Sequence, residues 1–300
     1  MISVVIPVHN EEKNIEPLYR EIVAALEPLG EEFEIIFVND GSTDGTGEVL
    51  RRLKMGDPRV RILEMDRNRG EAAALTAGFF HARGEIVASM DGDGQNDPAY
   101  LPEMIRRLRE GGYAVVSGWR MKRKEPLFTR RIPSWIANRI IGLITGVRVH
   151  DNGCSLKVYR AEVVKRVQIP HGFHRFIPAV FGVKNHEVAE VRIVDRPRRF
   201  GRSHYGLKRT FEVLRELLTI RFVLGNRPAK ERRLFLSFLI LAVLSPATYL
   251  VFPNFRPWFS LAFLVLAALA FLIYRNLHRF NQAQERGVFV VQEVIHAAQV

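Results

Sequence analysis

Five apolar runs alternate with helical patterns in the first part of the chain, and this alternation limits the fold more than any other feature. The runs are ISVVIPV, FEIIFVND, VRILEMD, GEIVASMD and YAVVSGW, with segments such as EKNIEPLYREIVAALEPLG and TGEVLRRLK between them. Strands that alternate with helices predict an α/β fold with a mostly parallel, twisted sheet and helices on both faces. Ligands of such sheets bind at the carboxyl ends of the strands.

Acidic side chains follow two of these strands. Asp40 and Ser42 lie in VNDGSTDGT after the second run, where a carboxylate can accept hydrogen bonds from a nucleobase or ribose. In ASMDGDGQNDP, Asp91, Asp93 and Gln95 are spaced at i, i+2 and i+4 and present oxygen ligands suited to Mg²⁺ or Mn²⁺. An ion held by few protein ligands keeps positions for substrate phosphates. The alternative is that these Asp-Gly segments are ordinary turns.

Two other types of site are disfavoured by the same loops. A calcium loop of the helix-loop-helix type that began at Asp91 would need glycine at Asn96 and glutamate at Pro102. A dinucleotide site would need G-x-G-x-x-G after the first strand, where the chain has IPVHNEE.

The net charge of +12 indicates an anionic partner, which could be a nucleotide, a nucleic acid or an acidic membrane surface. We expect no nucleic acid, because no stacking or groove-reading motif is evident. The single cysteine, Cys154, excludes an internal disulfide and fits a reducing compartment. The N-terminus MISVVIPVHN has no basic region before an apolar core, so we expect the first domain to be cytoplasmic.

Near the C-terminus, two runs without any charge predict membrane helices. They span residues 234–252 and 258–274 and would each extend roughly 25–28 Å as helices, close to the ~30 Å hydrocarbon core. Both outer flanks are basic, which by the positive-inside rule predicts a transmembrane hairpin with cytoplasmic flanks in the inner membrane. The alternative is a pair of buried helices in a soluble core.

Upstream of the hairpin, residues 207–222 place apolar side chains at i, i+4 and i+7 with arginine and lysine between them. This pattern favours an amphipathic helix in the membrane interface, or an ordinary helix packed on the domain. The predicted organisation is a cytosolic domain at 1–205, interface helices at 206–232, the hairpin at 233–275 and a cytosolic tail at 276–300. The hairpin helices could also support a homo-oligomer.

Four motifs in this order, VVIPVHNEE, VNDGSTDGT, NRGEAAALTAG and MDGDGQNDP, resemble the family-2 glycosyltransferases with the GT-A fold. Within them the chain is similar to the polyprenyl-phosphate glycosyltransferases, the group of dolichyl-phosphate mannose synthase. The resemblance covers the chain closely up to about residue 225, and the hairpin in architecture only.

The resemblance implies a set of site residues. Those of the nucleotide pocket are Pro7, Val8, Asn10, Glu11, Asp40, Ser42, Gly70, Asp91 and Gly92. The metal ligands are Asp91, Asp93 and Gln95, and the catalytic set is Asp91, Asp93, Arg120 and Asp151. The acceptor phosphate would be bound by Arg120, Arg131, Ser134, Arg199, Arg202, Ser203 and Tyr205. His204 departs from the lysine that is common in relatives.

The implied reaction moves a sugar from a UDP- or GDP-linked donor to undecaprenyl or dolichyl phosphate, with Mg²⁺ or Mn²⁺ as cofactor and inversion at the sugar carbon. A phosphate acceptor is already anionic near neutral pH and needs no strong base. The main alternative is transfer to a hydroxyl of a glycolipid or polysaccharide, with Asp151 as the base. A catalytically inactive nucleotide sensor is a further alternative, against which the complete acidic motif argues.

Overall fold

The computed structural model of the chain describes residues 1–121, 132–197, 216, 219–220, 222, 227–251 and 256–295. Eight strands form one sheet in the order β7-β5-β6-β4-β1-β2-β3-β8. The strands are β1 Ile2–Val8, β2 Phe33–Asn39, β3 Val60–Met65, β4 Ile86–Ser89, β5 Val115–Arg120, β6 Lys157–Arg160, β7 Val188–Ile193 and β8 Val291–Ile295. Each of the five predicted runs is a strand.

The sheet is mostly parallel, as predicted. The parallel pairs are β1 with β2, β1 with β4, β2 with β3, and β5 with β7. Strand β6 runs antiparallel to both β4 and β5, and β8 runs antiparallel to β3. Six strands therefore point in one direction, and their carboxyl ends share one edge of the sheet.

Helices lie between the strands. They are α1 Glu12–Leu26, α2 Thr46–Gly56, α3 Glu71–His81, α4 Leu101–Glu110, α5 Ile132–Thr145, α6 Ala161–Val164, α7 Ile177–Val180, α8 Arg227–Val251 and α9 Arg256–Arg286. Short 3₁₀ helices span Glu27–Leu29, Pro98–Tyr100, Phe173–Phe176 and Asn185–Glu187.

The core lies on both faces of β1, because successive strand residues point to opposite sides. On one face, Ile2, Val4, Ile6 and Val8 are buried in a cluster with the apolar stripe of α1 and with α4. On the other face α3 approaches so closely that a Cβ at Gly78 would lie 2.2 Å from Val5 Cγ1. The lack of a side chain at Gly78 lets α3 pack directly on β1.

The chain divides into two compact units, Met1–His204 with Gly287–Val300, and Tyr205–Arg286. The predicted tail is thus partly helix, since α9 continues to Arg286, and partly β8, which joins the sheet of the first unit. The sequence pattern did not indicate this strand.

In the second unit, α8 and α9 pack as an antiparallel pair. Ser245 and Ser260 exchange hydrogen bonds from hydroxyl to main-chain oxygen (3.0 Å each), and further along Glu231 of α8 accepts from His278 and Asn281 of α9. Within the described residues, one stretch, Ser260–Arg286, is long and apolar enough to cross a membrane, with a mean hydropathy of 1.9.

Candidate active site

The loops that follow β1, β2 and β4 meet at the carboxyl edge of the sheet. In the register, Val8 at the end of β1 pairs with Asn39 at the end of β2, and the Asp40 N–H donates to the Val8 oxygen (2.9 Å). Strand β4 lies on the other side of β1, with Ser89 opposite Val5. The predicted strand-end residues are therefore neighbours.

Asp40 is buried, and its two carboxylate oxygens accept hydrogen bonds from main-chain N–H groups. Arg69 donates to Oδ1 (2.7 Å) and Gly70 donates to Oδ2 (2.8 Å) at the start of α3. Gly41 must stay small, because its φ is +64° and a Cβ there would lie 2.5 Å from the Asn68 nitrogen. Asp40 therefore organises the loop before α3, and each of its oxygens keeps a lone pair for a ligand.

The turn after β1 brings together further residues of the predicted nucleotide pocket. Asn10 has a φ of 57°, its N–H donates to Ser42 Oγ (3.0 Å), and its Oδ1 accepts from Thr43 N–H (2.8 Å). A Cβ at Gly92 would lie 2.7 Å from Val8 Cγ1 and 3.2 Å from the Pro7 oxygen. The β1, β2 and β4 loops thus pack on one another.

Glu11 is held beside this turn by Asn14, a residue that the sequence motifs did not single out. Asn14 Nδ2 donates to Glu11 Oε2 (2.6 Å). The Asn14 side chain is 4% exposed, and its buried Oδ1 has no hydrogen-bond partner among the described residues. This oxygen faces Gly94, at 3.9 Å from the position of a Cβ there.

The metal loop, residues 91–97, carries the predicted cation ligands. Asp93 is 6% exposed, and its Oδ1 accepts from the Gln95 N–H (3.0 Å). Asp91 Oδ2 accepts from Ser155 Oγ (2.7 Å), while the Asp91 N–H donates to Asn96 Oδ1 (3.1 Å). The sequence motifs did not single out Ser155, which reaches Asp91 from a distant loop, or Asn96, which contacts Asp91 within the metal loop itself.

The electrostatics of the metal loop favour a cation. Burial, followed by the negative charges of Glu71 and Asp93, raises the pKa of Asp91 to about 7. A divalent ion would oppose each of these effects. In the part of the chain that the structure describes, no three acidic, histidine or cysteine side chains form a closed metal cage. A site with two carboxylates fits an ion that completes its shell with phosphate and water oxygens.

Arg120, at the end of β5, forms a bidentate ion pair with Asp151. Its Nε and Nη2 donate to the two carboxylate oxygens (2.6 and 2.9 Å), and Nη1 lies 3.5 Å from Asp195 Oδ2. Burial is the largest single effect and opposes the charge on Arg120, but the hydrogen bonds to Asp151 and the neighbouring negative charges together outweigh it and raise the pKa of the guanidinium. Burial also raises the pKa of Asp195, and Arg120 counteracts this rise. Both oxygens of Asp151 are thus engaged by an arginine.

Several predicted acceptor-site residues lie outside this description. Arg131, Arg199, Arg202, Ser203 and Tyr205, like His204, are not among the described residues, and Ser134 is described only as part of α5. Among the predicted phosphate ligands, Arg120 is therefore the one whose side chain belongs to the described part of the chain. It lies between the carboxylates of Asp151 and Asp195.

Comparisons with known proteins agree with this geometry. Residues 3–168 match the family described as Glycosyl transferase family 2. The dodecaprenyl-phosphate galacturonate synthase of Rhizobium johnstonii is 44% identical over 74% of this chain and 66% of its own length. The undecaprenyl-phosphate 4-deoxy-4-formamido-L-arabinose transferase of Edwardsiella ictaluri is 30% identical over 99% of this chain and 95% of its own length.

A solved structure confirms the GT-A-like fold. Glucosyl-3-phosphoglycerate synthase from Mycobacterium tuberculosis, determined with Mn²⁺, UDP-glucose and phosphoglyceric acid, aligns with a TM-score of 0.54 at 18% identity. The alignment covers 74% of this chain and 78% of that one. Because the sheet, the strand-end carboxylates and the matched sequence agree, the chain belongs to glycosyl transferase family 2 and is a glycosyltransferase.

Proposed function

We propose that this enzyme transfers a sugar from a nucleoside diphosphate sugar to a polyprenyl phosphate, with inversion at the sugar carbon. The observation that carries the proposal is the convergence of Asp40, Asp91, Asp93 and Arg120 at one sheet edge. Two relatives named as polyprenyl-phosphate sugar enzymes support it. Their sugars differ, so the donor sugar and the choice between UDP and GDP are questions for the assay.

The loops after β1, β2 and β4 would supply the donor site. Asp40 and the turn at Asn10 and Ser42 would hold the nucleoside, because the buried Asp40 carboxylate and the more exposed polar side chains of this turn present acceptors at the same strand ends. Asp91 and Asp93, with the side chain of Gln95, would hold Mg²⁺ or Mn²⁺. When bound, such an ion neutralises the diphosphate leaving group as a Lewis acid. Ser155 and Asn96 orient Asp91 for this task.

The state of Asp151 favours a phosphate acceptor over a hydroxyl acceptor. A hydroxyl would need a carboxylate that takes up its proton, and the ion pair with Arg120 opposes this at Asp151 because it stabilises the charged carboxylate. An anionic phosphate needs a cationic cradle instead. Arginine suits this role because it stays protonated and binds phosphate with two parallel hydrogen bonds. Arg120 would contribute to the cradle together with Arg131, Arg199, Arg202, Ser134, Ser203 and Tyr205.

The second unit would present the lipid. Apolar side chains on both helices are exposed. Examples are Ile240 and Val243 of α8 and Leu264 and Val265 of α9, each of which is 58–68% exposed. Such a surface is unfavourable in water and suits lipid. We therefore propose that α8 and α9 form a transmembrane hairpin in the inner membrane with the catalytic unit on the cytoplasmic side, and that hairpin helices could also mediate self-association.

The test is a transfer assay with the purified full chain in detergent. Labelled UDP- and GDP-sugars, Mg²⁺ or Mn²⁺ and undecaprenyl or dolichyl phosphate are combined, and label in the organic phase is counted. Label from one donor that disappears on chelation is the expected result. If nucleotide is bound but no donor labels the lipid, the acceptor is a different molecule and a glycolipid or polysaccharide hydroxyl becomes the better hypothesis.

A further inference from the structure

The segment that follows β7 lies against the metal loop through Arg196. The Arg196 N–H donates to the main-chain oxygen of Gln95 (2.8 Å). Its guanidinium pairs with Asp97 Oδ1 (2.7 Å) and with Glu21 Oε2 on α1 (2.6 Å). We call these three contacts the Arg196 clasp. One side chain thus connects the metal loop, the segment after β7 and α1.

The clasp differs from an ordinary surface ion pair. Exposed pairs contribute little, because water screens them and the side chains lose entropy. Here the side chains of Arg196, Asp97 and Glu21 are 31%, 23% and 28% exposed, so each is mostly covered. The planar guanidinium is suited to hold two carboxylates in a fixed geometry, which lysine does less well.

The position of the clasp connects it to the predicted cation ligands. Gln95 is held from both sides, since its N–H donates to Asp93 Oδ1 (3.0 Å) and its oxygen accepts from Arg196. Next to it, Asn96 Nδ2 donates to Asp195 Oδ1 (3.4 Å). The Gln95 main-chain oxygen is therefore engaged, and the side-chain amide is the group that can face an ion.

We propose that Arg196 is a positioning residue for the divalent ion of the transfer reaction. Its guanidinium fixes Asp97, and its main-chain N–H fixes the main chain at Gln95. Together these contacts hold Asp93 and the Gln95 side chain in the arrangement that the ion needs. This inference rests on the proposed function, because it assumes that the metal loop binds a divalent cation.

Two physical effects of removing the guanidinium have opposite signs. Coulomb's law alone predicts that an acidic loop which loses a cation will bind Mn²⁺ more tightly. Loss of positioning predicts weaker binding, and residues that orient metal ligands typically contribute about 10–100-fold to metal affinity. The direction of the change therefore separates the clasp from a simple charge effect.

The experiment measures Mn²⁺ binding to the full chain in detergent by the paramagnetic resonance signal of free Mn²⁺, with saturating UDP and, in parallel, GDP. We expect Arg196→Gln to weaken binding by about tenfold. Arg196→Lys keeps the charge and should fall between Arg196→Gln and the native chain. Arg59→Gln is the matched control, because Arg59 also pairs with two carboxylates, Asp57 and Glu27, and has a similar side-chain exposure of 34%.

Each outcome decides the inference. Mn²⁺ binding by Arg196→Gln that is unchanged, tighter, or weakened only as much as in Arg59→Gln overturns it. If Arg196→Gln does not fold, Glu21→Gln removes one partner's charge and should weaken binding by a few-fold; native binding would then overturn the inference. A native chain that retains no Mn²⁺ with either nucleotide also overturns it. Native Mn²⁺ binding without label transfer to polyprenyl phosphate would instead refute the proposed acceptor and leave the clasp intact.

Discussion

At the scale of single residues, Asp151 separates two mechanisms, because its bidentate ion pair with Arg120 stabilises the charged carboxylate and so opposes a role as the base. We expect Asp151→Asn to lower the transfer rate by about tenfold, through a less well-placed Arg120, without changing the pH dependence of kcat/KM. Asp195→Asn, at the other side of Arg120, should act in the same direction. A general base contributes about 10²–10⁴-fold, so a loss of that size with loss of the acidic limb of the pH profile would contradict this account.

Cys154 provides a second prediction at this scale. Burial raises the pKa of its thiol to about 11, with Lys157 and Arg120 acting in the opposite direction. We expect the thiol to resist alkylation at pH 8 in the folded chain and to react once the chain is unfolded, since the thiolate is the reactive form. Because the unfolded pKa is about 8.5, this group's contribution to stability is present below that pH and is lost as the pH rises towards 11. Rapid alkylation of the native chain would contradict the burial.

At the scale of secondary-structure elements, the contact of α3 with β1 depends on Gly78. A Cβ at this position would overlap Val5 Cγ1, whereas a Cβ at Gly56, at the end of α2, would meet no atom within 4 Å. We expect Gly78→Ala to lower the free energy of unfolding by about 1–3 kcal/mol. Gly56→Ala is the control and should be neutral or stabilising by up to about 1 kcal/mol. Equal unfolding midpoints for the two variants would contradict the close packing.

The same scale shows where sequence patterns suffice and where they do not. The five apolar runs predicted β1 to β5, because a short continuous apolar run between helical patterns is enough to identify a buried strand. Strands β6, β7 and β8 were missed, since the pairing of KVYR, VAEVRI and VQEVI is decided by strands far away in the chain. The position of Asp40, Asp91 and Asp93 at the ligand-binding edge could be predicted from the fold class, because ligands of such sheets bind at the carboxyl ends of the strands. The partners Ser155, Asp195 and Arg196 could not be predicted, because they come from loops far away in the chain.

At the scale of the whole molecule, the chain leaves the first unit for the helices and returns to it at Gly287. The returning segment contacts the first unit near the loop that holds Asp40. Phe289 packs against Phe80 and His81, and the Asp66 N–H donates to the Val290 oxygen (3.3 Å). The segment that follows the helices therefore packs as part of the first unit.

This arrangement predicts that Phe289→Ala destabilises the first unit. Replacing a fully buried phenylalanine by alanine lowers the free energy of unfolding by about 3–5 kcal/mol. The Phe289 ring is half-buried, so we expect about half of that loss. Val290→Ala is the control in the same segment, because that side chain is 49% exposed. Thermal unfolding of both variants in detergent provides the measurement. A Phe289→Ala midpoint equal to that of Val290→Ala would show that the return segment contributes no packing.

The most direct test of the central claim compares Asp93→Asn with the native chain in the lipid-labelling assay over a titration of Mn²⁺. Our account predicts that native transfer rises with Mn²⁺, and that Asp93→Asn loses at least about 100-fold of it while its unfolding midpoint stays near the native value. Glu110→Gln, which removes an exposed carboxylate on α4, should behave as the native chain does. Near-native transfer by Asp93→Asn at saturating Mn²⁺ would contradict the assignment of the strand-end carboxylates as the metal site.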